Sequence, residues 1–294
     1  MIKVIATDLD GTLFYPKKRF GMIPKKNKDF LSKFVQSGGR VAIVSSRGRD
    51  FSIKFKKKCP FNVDWIGSDG TFIEIDNRIR EENYFNPLKL KSLISYLRQN
   101  YDPGLILLAS KNRPMVMTRT KVNHLTNFVY FLYEAVQGVY REPFVRSDHI
   151  FYSEIEKGEA MKIMVLIGLT KKKKALAEKL TSELSSKFVD FEFTWVNQFI
   201  EITPKGCSKA SGVAKYLDYL GYSKQNVLVI GDSGNDAPMF DDFYENSYCM
   251  SHSPSSIKSR AKHVVDHVYD LEKVLCPSED SSKSEKKGKI NESN

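Results

Sequence analysis

Three short apolar runs, rich in valine and isoleucine, stand out along the chain. They cover residues 2–6, 41–44 and 227–230, and each is followed by polar residues or glycine. Nearly continuous runs of this length are typical of strands that are buried on both faces, as in a parallel sheet.

Amphipathic helical patterns lie between these predicted strands. The apolar positions of 30–35 recur at helical spacing after Pro24, and those of 213–220 do so before Gly221. Strands that alternate with helices predict an α/β fold with a Rossmann-like parallel sheet. In such a sheet, ligands bind beyond the carboxyl ends of the strands.

The middle of the chain has a different pattern, which we interpret as an inserted α+β unit over residues 83–202. The core is then discontinuous and consists of residues 1–82 and 203–276. Within the insertion the pattern predicts a helix, two strands, a long helix, a strand, a helix and a strand pair, at 87–99, 105–109, 114–118, 122–136, 162–167, 172–186 and 191–202. Residues 277–294 contain one aliphatic residue, Ile290, and we predict a disordered tail.

Composition narrows the class of protein. The chain has 294 residues, of which 41% are hydrophobic and 28% charged, as is typical of globular proteins. It has neither an apolar stretch long enough to span a membrane nor the zones of a signal peptide, so we predict a cytoplasmic protein without a membrane partner. The cysteines show no CxxC spacing, which predicts free thiols and no zinc site; they are Cys59, Cys207, Cys249 and Cys276.

The net charge of +11 is compatible with a nucleic-acid partner or with attraction for anionic metabolites. The basic residues form several short runs without a long basic arm, and they do not alternate with aromatic residues. This distribution argues against a nucleic-acid partner and favours solvated surface for each run.

Polar clusters follow all three predicted strands, at Asp8 to Gly11, Ser45 to Gly48 and Asp232 to Asp236. The carboxyl ends of parallel strands meet at one edge, so these clusters are expected to converge. Carboxylate oxygens are natural ligands of a divalent metal, which can neutralise the charge of a phosphate monoester.

A positive charge is also expected at this edge. Lys209 lies at the start of a predicted helix, a poor place for a cation unless an anion lies in front of it. Together with the Ser45 hydroxyl and the backbone amides around Gly11 and Ser46, it predicts a phosphate site beside the metal site.

These residues resemble the motifs of the haloacid dehalogenase superfamily. Asp8-Leu9-Asp10-Gly11-Thr12 resembles the first motif, DxDGT, and Gly231 to Asp236 resembles the fourth, GDxxND. Ser45 resembles the Thr or Ser of the second motif, and Lys209 the lysine of the third. With the central insertion, the chain looks most like the Cof-type (subfamily IIB) phosphatases, whose cap is of the C2B type.

The resemblance implies a Mg²⁺-dependent phosphatase acting on a small phosphorylated metabolite. Asp8 would be the nucleophile that forms an aspartyl-phosphate, and Asp10 the general acid and then the base. Mg²⁺ would be bound by Asp8, the Asp10 backbone carbonyl and Asp232, with Asp236 acting through water. The phosphate-binding residues would be Ser45, Ser46, Lys209, Asn235 and Gly11.

Three positions qualify the resemblance. Ser46 stands where the family usually has glycine, and Asp69 stands where it usually has asparagine, near the substrate entrance. Lys205 competes with Lys209 for the role of the third-motif lysine. We favour Lys209 because Lys-Ala-Ser-Gly opens the predicted helix.

The substrate stays open at this point. Sugar phosphates and vitamin-derived phosphates, such as pyridoxal phosphate or flavin mononucleotide, are the two classes considered. The candidates for substrate contact in the insertion, each of which also fits a surface or packing role, are Arg113, Arg119, Lys121, His124 and Trp195. A phosphomutase of the same superfamily and a non-enzymatic anion-binding or nucleic-acid-binding protein are the alternative functions.

Overall fold

The computed structural model describes residues 1–17, 22–101, 103–118, 128–129, 131–132, 136–168, 170–196 and 199–275. The predicted tail lies outside these residues, as does most of the predicted helix at 122–136. Cys276, Arg119, Lys121 and His124 also lie outside the described residues.

The strands fall into two groups along the chain. Those of the first group are β1 (Val4–Thr7), β2 (Arg40–Val44), β3 (Asp64–Gly67), β4 (Phe72–Ile75) and β5 (Arg78–Glu82). The second group contains β6 (Leu105–Ser110), β7 (Arg113–Thr118), β8 (Phe144–Arg146), β9 (Ala160–Leu166), β10 (Phe191–Val196) and β11 (Phe199–Pro204). The chain then returns to the first group with β12 (Val227–Gly231), β13 (Ser247–Met250) and β14 (His263–Val265).

The α-helices of the described residues lie between these strands. They are α1 (Lys25–Gln36), α2 (Arg49–Lys56), α3 (Pro87–Asn100), α4 (Asp148–Glu156), α5 (Lys171–Lys187), α6 (Lys209–Leu220), α7 (Ala237–Asp242), α8 (Ser255–Lys258) and α9 (Glu272–Leu275). Single helical turns lie at Leu9–Leu13, Gly138–Tyr140, Lys224–Asn226, Tyr244–Asn246 and Val268–Leu271.

The first group forms an eight-stranded sheet in the order β14-β13-β12-β1-β2-β3-β4-β5. The strands from β14 to β3 are parallel, whereas β4 and β5 add an antiparallel hairpin at one edge. Thr7 of β1 is paired with Ile43 of β2 on one side and with Ile230 of β12 on the other. The residues that follow these three strands therefore emerge next to one another at the carboxyl edge.

Both faces of the main sheet are covered, which explains the continuous apolar runs. Ile5 and Ile43 belong to the apolar cluster on one face, which includes residues of α1 and α2. Val4 and Val44 point to the opposite face and pack in a second cluster with residues of α6 and α7. Since neighbouring strand residues point to opposite faces, burial of both faces requires apolar residues at every position.

The second group forms a six-stranded sheet in the order β10-β11-β9-β6-β7-β8. Its pairs are antiparallel except for β7 and β8, which are parallel. Residues of α3, α4 and α5 pack on one face of this sheet and form its main apolar cluster. A smaller cluster, which includes Leu107 and Met117, lies on the other face.

The predicted fold class is confirmed: an α/β core with a mostly parallel sheet carries a separate α+β unit. Most described elements of the insertion match the predicted ones, with ends that differ by a few residues, but β8 and α4 lie between 144 and 156, where the pattern predicted neither a strand nor a helix. The boundaries at 82/83 and 202/203 stay a prediction, and β11 extends two residues past the second of them to Pro204. No helix among the described residues is long and apolar enough to cross a membrane.

Candidate active site

Asp8 lies at the centre of a buried charge cluster at the carboxyl edge of the main sheet. Its amide donates to the Ile230 carbonyl at 2.9 Å, which ties the end of β1 to β12. Lys209 Nζ lies 2.7 Å from Asp8 Oδ1 and 2.7 Å from Asp236 Oδ1. The structure thus brings together residues from the first, third and fourth motifs, which are far apart in the sequence.

The start of α6 places Lys209. Ser208 caps the helix: its hydroxyl accepts from the Ser211 amide at 3.1 Å, and Ser211 Oγ accepts from the Ser208 amide at 2.8 Å. This reciprocal capping fixes where the helix begins, and therefore where the buried lysine side chain starts. The cation lies at a helix start, as predicted, and two carboxylates face it.

Three carboxylates could hold a metal ion. Asp8, Asp232 and Asp236 each offer one oxygen, and these oxygens lie within 4.8 Å of one another. The Asp232 carboxylate accepts from the Thr12 hydroxyl at 2.9 Å. A Cβ at Gly11 would lie 2.3 Å from Asp232 Oδ2, so the chain can pass this carboxylate only with glycine. An oxygen set of this kind suits Mg²⁺.

The electrostatics of this cluster favour a bound cation. Burial raises the pKa of Asp8 well above its usual value, although Lys209 opposes this effect. Burial, followed by the charge of Asp236, raises the pKa of Asp232 to about 7. Carboxyl groups whose ionised form is disfavoured by burial and by like charges gain from a nearby cation.

Asp236 also holds the loop after β12. Its Oδ2 accepts from the backbone amides of Asp232 and Ser233, both at 2.9 Å. This carboxylate therefore uses one oxygen for the loop and the other for Lys209. Such an arrangement fits a residue that supports a metal site by holding the loop around it in place.

Asp10 faces a different partner, Arg47. The guanidinium donates to both carboxylate oxygens, with Nε 2.6 Å from Oδ2 and Nη2 2.8 Å from Oδ1. Burial acts to raise the pKa of Asp10, but the charge and hydrogen bonds of Arg47 outweigh it and leave the pKa lowered. The contact with Arg47 thus favours the ionised form of Asp10, whose side chain is 39% exposed.

The inserted unit contacts the core around Arg47. The Tyr140 carbonyl accepts from Arg47 Nη1 at 2.8 Å, and the Tyr140 ring packs on Phe14 with a centroid distance of 4.9 Å. Glu142 accepts from the Gly48 amide at 3.1 Å and lies 3.7 Å from Arg47. The segment around Gly138–Tyr140 therefore covers one side of the site, next to the Asp10–Arg47 pair.

The second-motif residues lie in the loop between β2 and α2. Ser45 is buried, and its Oγ accepts from the Arg47 amide at 3.2 Å. The Ser46 carbonyl accepts from Lys162 Nζ at 3.2 Å. This bond joins the second-motif loop to the inserted unit.

Asn235 and Asp69 face a second buried cluster. Asn235 Nδ2 donates to Asp69 Oδ1 and to Glu201 Oε2, both at 3.2 Å. Lys162 Nζ lies 2.5 Å from Asp69 Oδ2 and 2.8 Å from Glu201 Oε1. Asn235 Oδ1 accepts from the Ser233 hydroxyl at 2.7 Å, and Asn235 Nδ2 links the loop after β12 to Glu201 of the inserted unit.

Of the remaining candidates, Lys205 and Arg113 lie apart from these clusters, whereas the backbone of Trp195 approaches the loop after β12. Lys205 is 64% exposed and pairs with Glu192 at 2.9 Å. Arg113 pairs with Glu154 at 2.9 Å inside the inserted unit. Trp195 lies on β10, and a Cβ at Gly234 would lie 2.8 Å from its carbonyl oxygen.

Sequence reasoning missed three residues that contact the site: Arg47, Lys162 and Glu201. Arg47 lies two residues after Ser45, in the polar loop that follows the second predicted strand. Lys162 and Glu201 are single charged residues in apolar strands, and this is the signal that could have found them. A lone charge in a buried strand implies a partner, since buried charges are almost always paired.

Comparisons with known proteins agree with this architecture. The family model for haloacid dehalogenase-like hydrolases matches residues 5–274. Pyridoxal phosphate phosphatase YbhA of Escherichia coli is 23% identical over 268 residues, which cover 90% of this chain and 93% of that protein. The crystal structure of the HAD subclass IIB sugar phosphatase BT4131 superposes with a TM-score of 0.70 at 16% identity, covering 93% of this chain and 98% of that one.

Some relatives are much longer than this chain. The chloroplastic endoribonuclease YBEY of Arabidopsis thaliana is 25% identical over 247 residues, and these cover 80% of this chain but only 39% of that protein. The family model nevertheless spans both sheets. The chain therefore belongs to the haloacid dehalogenase-like hydrolase family and is an enzyme of it, as its motifs predicted.

Proposed function

We propose that the protein is a Mg²⁺-dependent phosphatase that hydrolyses a small phosphorylated metabolite through an aspartyl-phosphate on Asp8. One observation carries the proposal: buried Asp8, Lys209 and Asp236 form one cluster with the partly buried Asp232 at the carboxyl edge of the sheet. The cluster combines a nucleophile, a fixed cation and an oxygen set that fits a divalent metal.

Asp8 is the nucleophile in this proposal. Its carboxylate oxygen attacks phosphorus, and the bond from phosphorus to the leaving-group oxygen breaks. Lys209, 2.7 Å from Asp8, contributes fixed positive charge for the phosphoryl oxygens. Water then attacks the phosphorus of the acyl phosphate, which releases inorganic phosphate and regenerates Asp8.

Asp10 is the general acid and base in this proposal. It donates a proton to the leaving group in the first step and accepts one from the attacking water in the second. The ionised, Arg47-bound Asp10 of this structure is ready for the second role. For the first role it must carry a proton, and the bidentate pair with Arg47 has to loosen when substrate enters.

Mg²⁺ would be held by Asp8, Asp232 and the Asp10 backbone carbonyl, and it would neutralise phosphate charge beside Lys209. Asp236 would support it through the loop amides that it binds. The phosphate would also be bound by Ser45, by Asn235 and by the backbone amides near Gly11 and Ser46.

The inserted unit would exclude water from this charged edge and select the substrate. Tyr140 and Glu142 lie above Arg47 on one side, and Lys162 and Glu201 lie beside Asn235 on the other. Among its relatives are a sugar phosphatase and a pyridoxal phosphate phosphatase, so both substrate classes named from the sequence belong in a substrate panel.

Release of inorganic phosphate tests the proposal. We would measure it for an aryl phosphate and a panel of sugar and vitamin phosphates, with Mg²⁺, with EDTA and with Asp8→Asn. Turnover that needs both Mg²⁺ and Asp8 is expected. A folded protein that transfers phosphate between sugars without releasing it would be a mutase, and one that turns over nothing would not be a phosphatase.

A further inference from the structure

A second charge cluster lies between the inserted unit and the core, outside the proposed catalytic groups. It contains Lys162 of β9, Glu201 of β11 and Asp69, which lies between β3 and β4. Their side chains are 1%, 5% and 8% exposed. Three ionisable groups are thus buried at the contact of two sheets that have separate apolar cores.

The geometry makes Lys162 the centre of this cluster. Its Nζ lies 2.5 Å from Asp69 Oδ2 and 2.8 Å from Glu201 Oε1, and it donates to the Ser46 carbonyl at 3.2 Å. The ammonium group thus donates hydrogen bonds to Ser46 and Glu201 and forms an ion pair with Asp69. One partner comes from the inserted unit and two come from the core.

The charges depend on one another. Burial acts to lower the pKa of Lys162, but Asp69 and Glu201 outweigh it and leave the pKa raised. Burial acts to raise the pKa of Asp69, and Lys162 outweighs it. Separation of the two units would leave charges without their partners, and a buried charge without a partner is strongly destabilising.

The cluster also reaches the loops that follow three core strands. Lys162 holds the Ser46 carbonyl in the loop after β2, and Asp69 itself follows β3. Asp69 and Glu201 both accept from Asn235 in the loop after β12. All three loops lie on the edge where the phosphate site is proposed.

We propose that Asp69, Lys162 and Glu201 form a charged latch that couples closure of the inserted unit to the arrangement of the phosphate-side loops. Asp69 is the positioning residue, because its second carboxylate oxygen binds Lys162 while the first holds Asn235. An asparagine at this position can hold one of these partners but supplies no charge for Lys162. The inference concerns the same site as the proposed function and depends on it only for the activity readout.

The test compares Asp69→Asn with Glu154→Gln. Glu154 is a matched control because it is a buried carboxylate of the inserted unit that binds Ser110, Arg113 and Lys157, none of which is in the core. Amide hydrogen exchange would be followed in peptides covering 45–48 and 232–236, without metal or substrate. The kcat and KM for an aryl phosphate with Mg²⁺ give a second readout.

Asp69→Asn is expected to raise the exchange of both loops about tenfold, as for loss of a charge-assisted hydrogen bond. It should lower kcat/KM by a similar factor, whereas Glu154→Gln changes neither even if the two variants lose similar stability. The double variant Asp69→Asn/Lys162→Met should lose no more kcat/KM than Lys162→Met alone, because both changes remove the same ion pair.

If both loops exchange at the same rates in Asp69→Asn as in Glu154→Gln, the latch is overturned. If Asp69→Asn does not fold, Glu201→Gln serves instead, and it should raise exchange at 232–236 more than at 45–48. Exchange reports the latch even in a protein that releases no phosphate, so failure of the proposed function is separately visible.

Discussion

At the residue scale, Arg47 controls the charge of Asp10. The guanidinium binds both oxygens of this carboxylate while its remaining nitrogen donates to the Tyr140 carbonyl. One arginine thus connects the proposed acid and base to the inserted unit. The planar fork of arginine suits this bidentate contact, and lysine could not reproduce it.

Arg47→Gln is expected to raise the pKa of Asp10. Arg47 lowers that pKa by charge and hydrogen bonding against the opposing effect of burial, so its loss moves the pKa upward. The limb of the pH–rate profile that reports Asp10 should then shift to higher pH in kcat/KM. Arg49→Gln, which removes a contact to Glu82, is the control and should leave the profile in place. An unshifted profile in Arg47→Gln would contradict the assignment.

Gly11→Ala is expected to abolish the stabilisation of the protein by Mg²⁺. Its φ of +89° disfavours any side chain, and a Cβ there would lie 2.3 Å from Asp232 Oδ2. Thermal unfolding with and without Mg²⁺ measures the effect, since a ligand that binds only the folded state raises Tm.

Gly38→Ala is the matched control for this change. Gly38 has a φ of +90°, but a Cβ there has no other atom within 4 Å. Gly38→Ala should be destabilised by backbone strain, but Mg²⁺ should still raise its Tm by the full amount. If both variants respond to Mg²⁺ like the parent, Asp232 is not a ligand.

At the element scale, the start of α6 determines where the site cation lies. The Ser208 cap fixes the first turn, and Lys209 follows it directly. Gly70, with a φ of +88°, lies so close to this turn that a Cβ would be 2.2 Å from the Ser208 carbonyl. The loop that carries Asp69 and the helix that carries Lys209 are therefore packed against one another.

Ser208→Ala is expected to lower the free energy of unfolding by about 1 kcal/mol, because an N-cap is lost. It should also weaken inhibition by inorganic phosphate, since Lys209 loses its fixed starting point. Ser147→Ala removes the cap of α4, whose Ser147 hydroxyl accepts from the Ile150 amide at 3.2 Å. That variant should lose similar stability without any change in phosphate inhibition. If inorganic phosphate inhibits both variants equally, the Ser208 cap does not position Lys209 for phosphate binding.

At the scale of the whole molecule, buried charge joins the two units. Burial first, and then the charge of Asp69, raises the pKa of Glu201 to about 7 from a usual value of 4.5. Between these values the folded chain keeps a proton that the unfolded chain has released. The contribution of this group to stability is therefore fully present below pH 4.5 and is lost as pH rises through about 7.

Glu201→Gln removes this titration. The free energy of unfolding of the variant, relative to the parent, is expected to increase from pH 5 to pH 8. Urea unfolding at the two pH values, without added metal, measures the difference. A difference that does not change with pH would mean that Glu201 titrates at its usual value in the folded protein.

The sequence by itself determined the core and the acidic edge. Burial of both sheet faces demands continuous apolar runs, and the residues directly after those runs must lie at the carboxyl edge. Asp8, Asp10, Asp232 and Asp236 could therefore be placed from local patterns alone. The same argument selected Lys209 over Lys205, because a helix start was visible around it.

Only the tertiary structure decided which charges pair across the two units. Lys162 of the inserted unit pairs with Asp69 of the core, and Glu201 of the inserted unit accepts from Asn235, 34 residues further along the chain. A lone charge in an apolar strand implies that a partner exists, but strand periodicity does not identify it. The partner depends on how one packed unit lies on another, and that is set by side chains far apart in the chain.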